Sequence, residues 1–314
     1  MSVHTTAAWL DLSDRGKIKV TGEDRARLLH AMTSNHIQQL IPGAGCYAYF
    51  LSAQGRILAD ANVLCRPDHF LLDTEPETRE KLYQHLDKFI IADDVTLEDA
   101  TAATLTIALE GPAAADVLRA LGAPVPEALY ANAEWQSRLV ARLSYTGGPG
   151  FFVFAPTADK AVLVRELESS GASPGELCDF EIARLENGKP RYGQDLSERY
   201  LAQEANQPYA LNFNKGCYLG QEIVERVRSR GQVHRVLVPI TLDSVEPPAP
   251  GTKLQVEGKD AAEVTSARFS PRLNKTAALA YVRVEHSKPG TELRLGDTFV
   301  QVRERWTLDT QSAL

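Results

Sequence analysis

The sequence predicts an α+β chain, with two related lobes of helices and antiparallel strands over residues 1–235 and an all-β barrel over 236–314. Three observations carry that expectation. A strand–Gly–helix unit occurs twice at a fixed offset, short alternating strands are mixed with helices instead of taking turns with them, and helical periodicity vanishes after about Arg235.

The repeated unit is Ile18-Lys19-Val20-Thr21-Gly22 leading into a helix to Ala31. It is echoed by Ile107-Ala108-Leu109-Glu110-Gly111 leading into a helix to Ala120, with an offset of 89 residues at Gly22/Gly111, Ala26/Ala115 and Leu29/Leu118. Pro112 suits a first helical turn, where its missing N–H costs nothing. Two such units suggest paired lobes with a ligand crevice between them.

Between the copies, Tyr47–Leu51, Ile57–Leu64 and Phe70–Leu72 are expected strands. Thr74 with Glu77 reads as a capping box for a helix whose apolar stripe is Leu82, Leu86, Phe89 and Ile90. After the second copy come strands near Leu139–Tyr145 and Phe151–Phe154 and a helix over Asp159–Glu168. A further helix follows, with Ser173 as N-cap, Pro174 at its first position, Glu176 closing the box and Gly188 as its stop. Beyond Arg235, a loop rich in proline and acid at 243–251 and recurring short strands predict a barrel of about six strands.

Composition bounds the function. With 314 residues, 34.5 kDa, 44% hydrophobic and 24% charged, the chain suits a globular protein of two or three domains. A formal charge of −7, from 34 basic and 41 acidic residues, argues against nucleic-acid binding through an overall positive field. No apolar run approaches the roughly 18 residues of a membrane span. Residues 1–12 do not read as a secretory signal, and Cys46, Cys65, Cys178 and Cys217 form neither a C-x-x-C pair nor a disulfide framework. A cytoplasmic monomer with free thiols, no metal site and no membrane partner is expected. Gly171-Ala172-Ser173-Pro174-Gly175 matches a hydrolase elbow, but the residue after the serine must donate an oxyanion N–H and Pro174 has none.

The most distinctive segment is Lys215-Gly216-Cys217-Tyr218-Leu219-Gly220-Gln221-Glu222. It opens a predicted helix that runs to about Arg230, with Ile223, Val224 and Val227 as its apolar face and Gly231 as its stop. Cys217 is expected just ahead of, or within, the first turn, where the helix dipole and Lys215 favour a thiolate. Gly216 and Gly220 allow close approach of backbone or ligand. Lys215, Arg226, Arg228, Arg230 and Arg235 outnumber Glu222 and Glu225, so a basic patch sits in an acidic chain. RNA is a less favoured partner for it.

The octapeptide resembles the signature of the YgfZ family, folate-binding relatives of the glycine-cleavage T-protein (aminomethyltransferase), and the resemblance covers almost the whole chain. Gly55-Arg56-Ile57-Leu58-Ala59-Asp60 resembles the T-protein strand that carries its catalytic aspartate. Tyr145-Thr146-Gly147 with Gly150 is similar to the Y-T-G-x-x-G turn. Arg184–Gly188 and Tyr192–Asp195 are similar to the R-L-E-x-G and Y-G-Q-D/E segments.

The resemblance implies a ring of two intertwined lobes and a barrel around a central tetrahydrofolate site. It also implies a role in making or maintaining iron–sulfur proteins and, through them, tRNA modification, with iron–sulfur client or assembly proteins as partners. On that resemblance Glu186 takes the pterin's donor edge, Tyr145 and Tyr192 stack on or bond to the ligand, and Arg226 or Arg228 meets the glutamyl tail. Cys217, Lys215 and Asp60 are then the reactive groups. Where the T-protein has two consecutive aspartates this chain has Ala59-Asp60, so a like charge that would raise the pKa of Asp60 is expected to be missing. The alternative is an aminomethyltransferase or demethylase that passes a one-carbon unit to tetrahydrofolate.

Overall fold

The computed structural model describes residues 2–231 and 233–304. A single-turn helix α1 (Ser2–Thr5) precedes β1 (Ala8–Asp11), β2 (Gly16–Thr21), α2 (Arg25–Met32), β3 (Gly45–Leu51), β4 (Ile57–Cys65), β5 (Phe70–Thr74) and α3 (Arg79–Asp87). The same order then recurs as β6 (Thr96–Asp99), β7 (Thr104–Glu110), α4 (Ala114–Ala120), β8 (Asn132–Trp135), β9 (Arg138–Ala141), β10 (Gly150–Pro156) and α5 (Lys160–Ser169).

The two sheets run β3-β4-β5-β2-β6 and β8-β9-β10-β7-β1, the second extended by β11 (Ser173–Pro174). Their orders correspond, with one exchange: each repeat lends its first strand to the other's sheet. Ala8 of β1 lies opposite Glu110 of β7, and Asp99 of β6 lies opposite Ile18 of β2. The repeated glycines mark the crossings. Gly22 and Gly111 have φ of 100° and 116°. A Cβ would stand 2.0 Å from Asp94 O at the first and 2.5 Å from Thr6 O at the second. In both cases the carbonyl belongs to the segment leading into the exchanged strand.

Period-2 alternation divides each sheet into two faces. Ile18, Val20, Ala59, Ala61 and Val63 pack beneath α2 and α3, and Ile107, Leu109, Phe151 and Val153 form the matching core under α4 and α5. The opposite faces meet each other through Leu64, Leu71, Ala108, Phe152 and Phe154, joined by Phe180 of α6 (Leu177–Glu186). After α7 (Gln221–Arg230), strands β12 (Arg235–Leu242), β13 (Lys253–Val256), β14 (Lys259–Ser270), β15 (Lys275–Arg283), β16 (Glu292–Leu295) and β17 (Thr298–Val302) close a six-stranded barrel. The end of the expected barrel region, 305–314, lies outside the described residues. The barrel is fastened to α6 and its following loop by buried polar contacts: Asp195 accepts from Arg184 at 2.7 Å and from the Thr265 and Ser266 hydroxyls at 2.5 Å each.

Two helix starts differ from expectation. Ser173 and Pro174 are strand residues opposite Ala8 and Trp9, and Ser173 N–H donates to Ala7 O, so backbone pairing with β1 overrides capping and α6 begins at Leu177. Thr74 stays in the sheet opposite Gly16, Glu77 is drawn to Arg191 at 2.9 Å, and α3 begins only at Arg79. Among the described residues no helix is long and apolar enough to cross a membrane, and no cluster of three His, Cys, Asp or Glu side chains is placed to hold a metal ion.

Candidate functional site

The facing sheets leave a cleft, and β4 aims its chemistry into it. Alternation sends Ala59, Ala61 and Val63 to the first lobe's core and leaves Asp60 and Asn62 lining the cleft. On β3, Tyr47 lies opposite Asn62 and reaches diagonally to donate its hydroxyl to Asp60 Oδ2 at 2.6 Å. Asp60 Oδ1 accepts from no described residue. Burial first, and then the charges of Glu75 and Asp73, push the Asp60 carboxyl up to about 6. Tyr47 and Arg15 act in the opposite direction. A carboxyl in that range can both hold and release a proton near neutral pH.

The rest of the floor is a chain of paired ions. Arg15 Nε and Nη2 each reach an oxygen of Asp73 at 2.9 Å, a bidentate fork, and its Nη1 donates to Glu75. Glu75 also pairs with Arg191 at 3.0 Å. From the second lobe, fully buried Glu110 accepts from Thr146 N–H at 3.0 Å and the Ser144 hydroxyl at 3.1 Å, while Lys189 donates to Ser144 O. Burial draws the Lys189 ammonium down to about 8. The Tyr145 hydroxyl donates to Glu181, which Arg184 holds from the other side at 2.9 Å. Tyr47, Tyr145, Phe152 and Tyr209 give the cleft aromatic walls. These walls, with the unpaired Asp60 oxygen between them, suit a flat heterocycle that presents N–H donors.

The octapeptide lies elsewhere, along the C-terminal end of α2. Lys215, 6% exposed, donates from Nζ to His30 O and Thr33 O at 2.5 Å each and to Asn35 O at 2.8 Å. Its ammonium also stands 4.7 Å from the Tyr218 ring, which packs with Tyr49, Leu51 and Leu185. Cys217 is exposed. Gly220, not Cys217, is the N-cap of α7; its φ is 86°, and a Cβ there would lie 2.6 Å from Ser52 O. Gly216 is less constrained, since a Cβ would meet His30 Nε2 at an ordinary 3.9 Å.

Two families of sequences describe the chain: the GCVT N-terminal domain over residues 1–215 and the glycine cleavage T-protein C-terminal barrel domain over residues 235–302. The chain belongs to the GcvT family. An aminomethyltransferase of Rubrobacter xylanophilus is 31% identical over 311 residues, 97% of this chain and 81% of its own. A chloroplastic Arabidopsis thaliana protein, provisionally named a transferase, is 27% identical over 295 residues, 92% of this chain and 68% of its own. The crystal structure of glycine cleavage system aminomethyltransferase T from Bartonella henselae has the same fold, with a TM-score of 0.88 over 97% of this chain and 87% of that one at 24% identity.

Within this GcvT-family fold the expected site residues separate. Asp60 and Tyr145 line the cleft. Glu186, expected at a pterin's donor edge, is turned instead to the barrel: it is 4% exposed, accepting from Ser270 and, at 2.9 Å, from Arg272 Nε. The Tyr192 hydroxyl donates to Leu58 O at 2.6 Å and braces β4 from behind. Arg228 lies over the Phe213 ring at 4.5 Å and near Glu225, and Arg226 pairs with Glu222 at 2.6 Å, so neither guanidinium reaches the cleft. Gln221 and Glu222 open α7, where Gln221 N–H closes a turn on Tyr218 O. Cys217 stands just ahead of the helix cap, outside the first turn of α7, and Lys215 Nζ donates to backbone carbonyls at the end of α2.

The loss of a second aspartate also reads differently. Position 59 faces the apolar core, and the like charges that raise Asp60 come from Glu75 and Asp73. Those two, with Arg15, Lys189 and Arg191, were missed from sequence. The one available signal was the run Phe70-Leu71-Leu72-Asp73, an acid following an apolar run within one buried strand.

Proposed function

We propose that the cleft binds a reduced folate and that the protein passes one-carbon units to or from it, with Asp60 handling the proton. The observation that carries this reading is the buried carboxyl of Asp60 on the cleft wall, with Tyr47 donating to its Oδ2 and aromatic side chains lining the same cleft. Bound tetrahydrofolate would supply the amine nitrogen that takes the carbon. The chain's own part is to stack the ring between Tyr47, Tyr145 and Tyr209, accept from its donor edge, and exchange a proton at Asp60. The aminomethyltransferase names of its relatives favour the same chemistry. Titration of tetrahydrofolate is expected to show saturable binding by wild type, with equal affinity for Glu186→Gln, because Glu186 faces the barrel. Absence of binding to wild type would remove the folate from the account.

A second reading concerns Cys217, and the exposed thiol on a loop anchored at both sides favours it. In this reading the protein supports iron–sulfur enzymes, and through them tRNA modification, and Cys217 is the group that meets the client. Cys217→Ser is then expected to abolish activity of a dependent iron–sulfur enzyme in cells while folate binding persists. Full complementation by that variant would refute the thiol's role.

A further inference from the structure

We infer that Asn62 sets which ring the cleft accepts: its amide nitrogen is committed to Asp73, and its amide oxygen is the acceptor for the exocyclic amine of the bound heterocycle. The inference deepens the folate reading of the cleft and rests on it.

Asn62 sits on the middle strand of three. On β4 it lies opposite Tyr47 of β3 and opposite Asp73 of β5, half-buried on the cleft wall. An asparagine amide has one end that accepts and one that donates, nearly equal in shape, so its neighbours decide which end points where. Arg15 Nε and Nη2 donate to the two oxygens of Asp73 at 2.9 Å each, and a carboxylate in such a fork offers only acceptors. Asn62 therefore meets it with its NH2 group: Nδ2 donates to Asp73 Oδ2 at 2.8 Å. The reversed amide would set oxygen against oxygen. Arg15 and Asp73 are both buried, so the orientation is built into the sheet. Tyr47, the neighbour on the other side, gives its hydroxyl to Asp60. Asn62 Oδ1 thus takes no hydrogen bond among the described residues and is the end left for a ligand.

Alternation puts Asp60 and Asn62 on one face of β4, about 7 Å apart along the strand. That is close to the span of a fused two-ring heterocycle. A ring that places a nitrogen at Asp60, where the proton is exchanged, brings an amine on its far edge to Asn62. An amine conjugated to the ring is a donor and suits the carbonyl oxygen. A methyl group there would leave Oδ1 shut off from water and without a donor.

Titrations of the full-length protein with two ligands test this: tetrahydrofolate, and its analogue with a methyl group in place of the exocyclic amine. Wild type is expected to bind tetrahydrofolate about tenfold more tightly than the analogue, the effect of one acceptor left without its donor. Asn62→Leu and Asn62→Ala should bind tetrahydrofolate about tenfold less tightly than wild type does, and the analogue as well as wild type does, so that the preference disappears. A preference that survives in both variants, or an equal loss for both ligands, would make Asn62 a space-filling residue and overturn the inference while the folate reading stands. Should Asn62→Leu fail to fold, Asn62→Ala decides, because alanine removes the amide and adds no bulk. Absence of binding of either ligand to wild type would overturn the folate reading, and the inference with it.

Discussion

Arg184→Met is expected to lower stability by about 3–5 kcal/mol, the cost of leaving a buried charge without its partner. Arg184 is 1% exposed and serves four acceptors: Glu181 at 2.9 Å, Asp195 at 2.7 Å, Gln194 at 2.9 Å and Lys189 O at 2.9 Å. Methionine fills much of the volume and supplies no donor. Asp195, fully buried, would keep only the Thr265 and Ser266 hydroxyls and backbone N–H of Arg191. The same carboxylate joins α6 to the barrel, so loss of the barrel's docking should accompany the drop. Urea and thermal unfolding check the magnitude. Adding Asp195→Asn should recover part of the loss, because it removes the stranded charge; a double variant no better than the single would show that the charge is not the cause.

Asp60→Asn is expected to separate stability from activity. The folded-state pKa of Asp60 is raised from its ordinary 3.8 to about 6, so the folded protein prefers the protonated acid. The sign follows from linkage: below about pH 3.8 the group costs nothing, the cost grows as pH rises to about 6, and above that it is complete, at about 3 kcal/mol. Asparagine carries no charge and can still accept from Tyr47. The variant should therefore melt higher than wild type at pH 8, with the gain vanishing near pH 4. One-carbon transfer should fall by roughly 10²–10⁴-fold, the usual share of a general acid or base. Equal melting temperatures at pH 8 would mean that Asp60 is not strained by its surroundings. A gain in stability with full transfer activity would place the proton elsewhere.

How much of this could be read from sequence depends on how local each feature is. The repeat was legible because Gly22 and Gly111 answer a steric demand that recurs, and Gly231 stops α7 with φ of 67° for a reason carried by the residue itself. Asp60 was named only through the resemblance of its strand to that of the T-protein, and the structure places it on the cleft wall. What failed was direction. A motif gives the type of Glu186 but not the helix face on which it lies, and α6 turns that face to the barrel. Ser173 looks like a cap until Ala8 and Trp9, far upstream, offer their backbone instead. The ion chain of Arg15, Asp73, Glu75 and Arg191 joins three separate stretches of chain, and no local pattern announces it. The inward fate of position 59 was available in principle, since strand alternation alone puts 59 and 60 on opposite faces.

The exchange of β1 and β6 ties the two repeats into one cooperative unit. Residues 8–11 are made well before their partners at 107–110, which come only after the whole first repeat. Until then the N-terminal strand has no sheet to join, and the first sheet lacks its edge until 96–99 arrive. Long-range pairing of this kind is slow to form. A cut between the repeats would not release two independent domains, because each half would carry away a strand that the other needs.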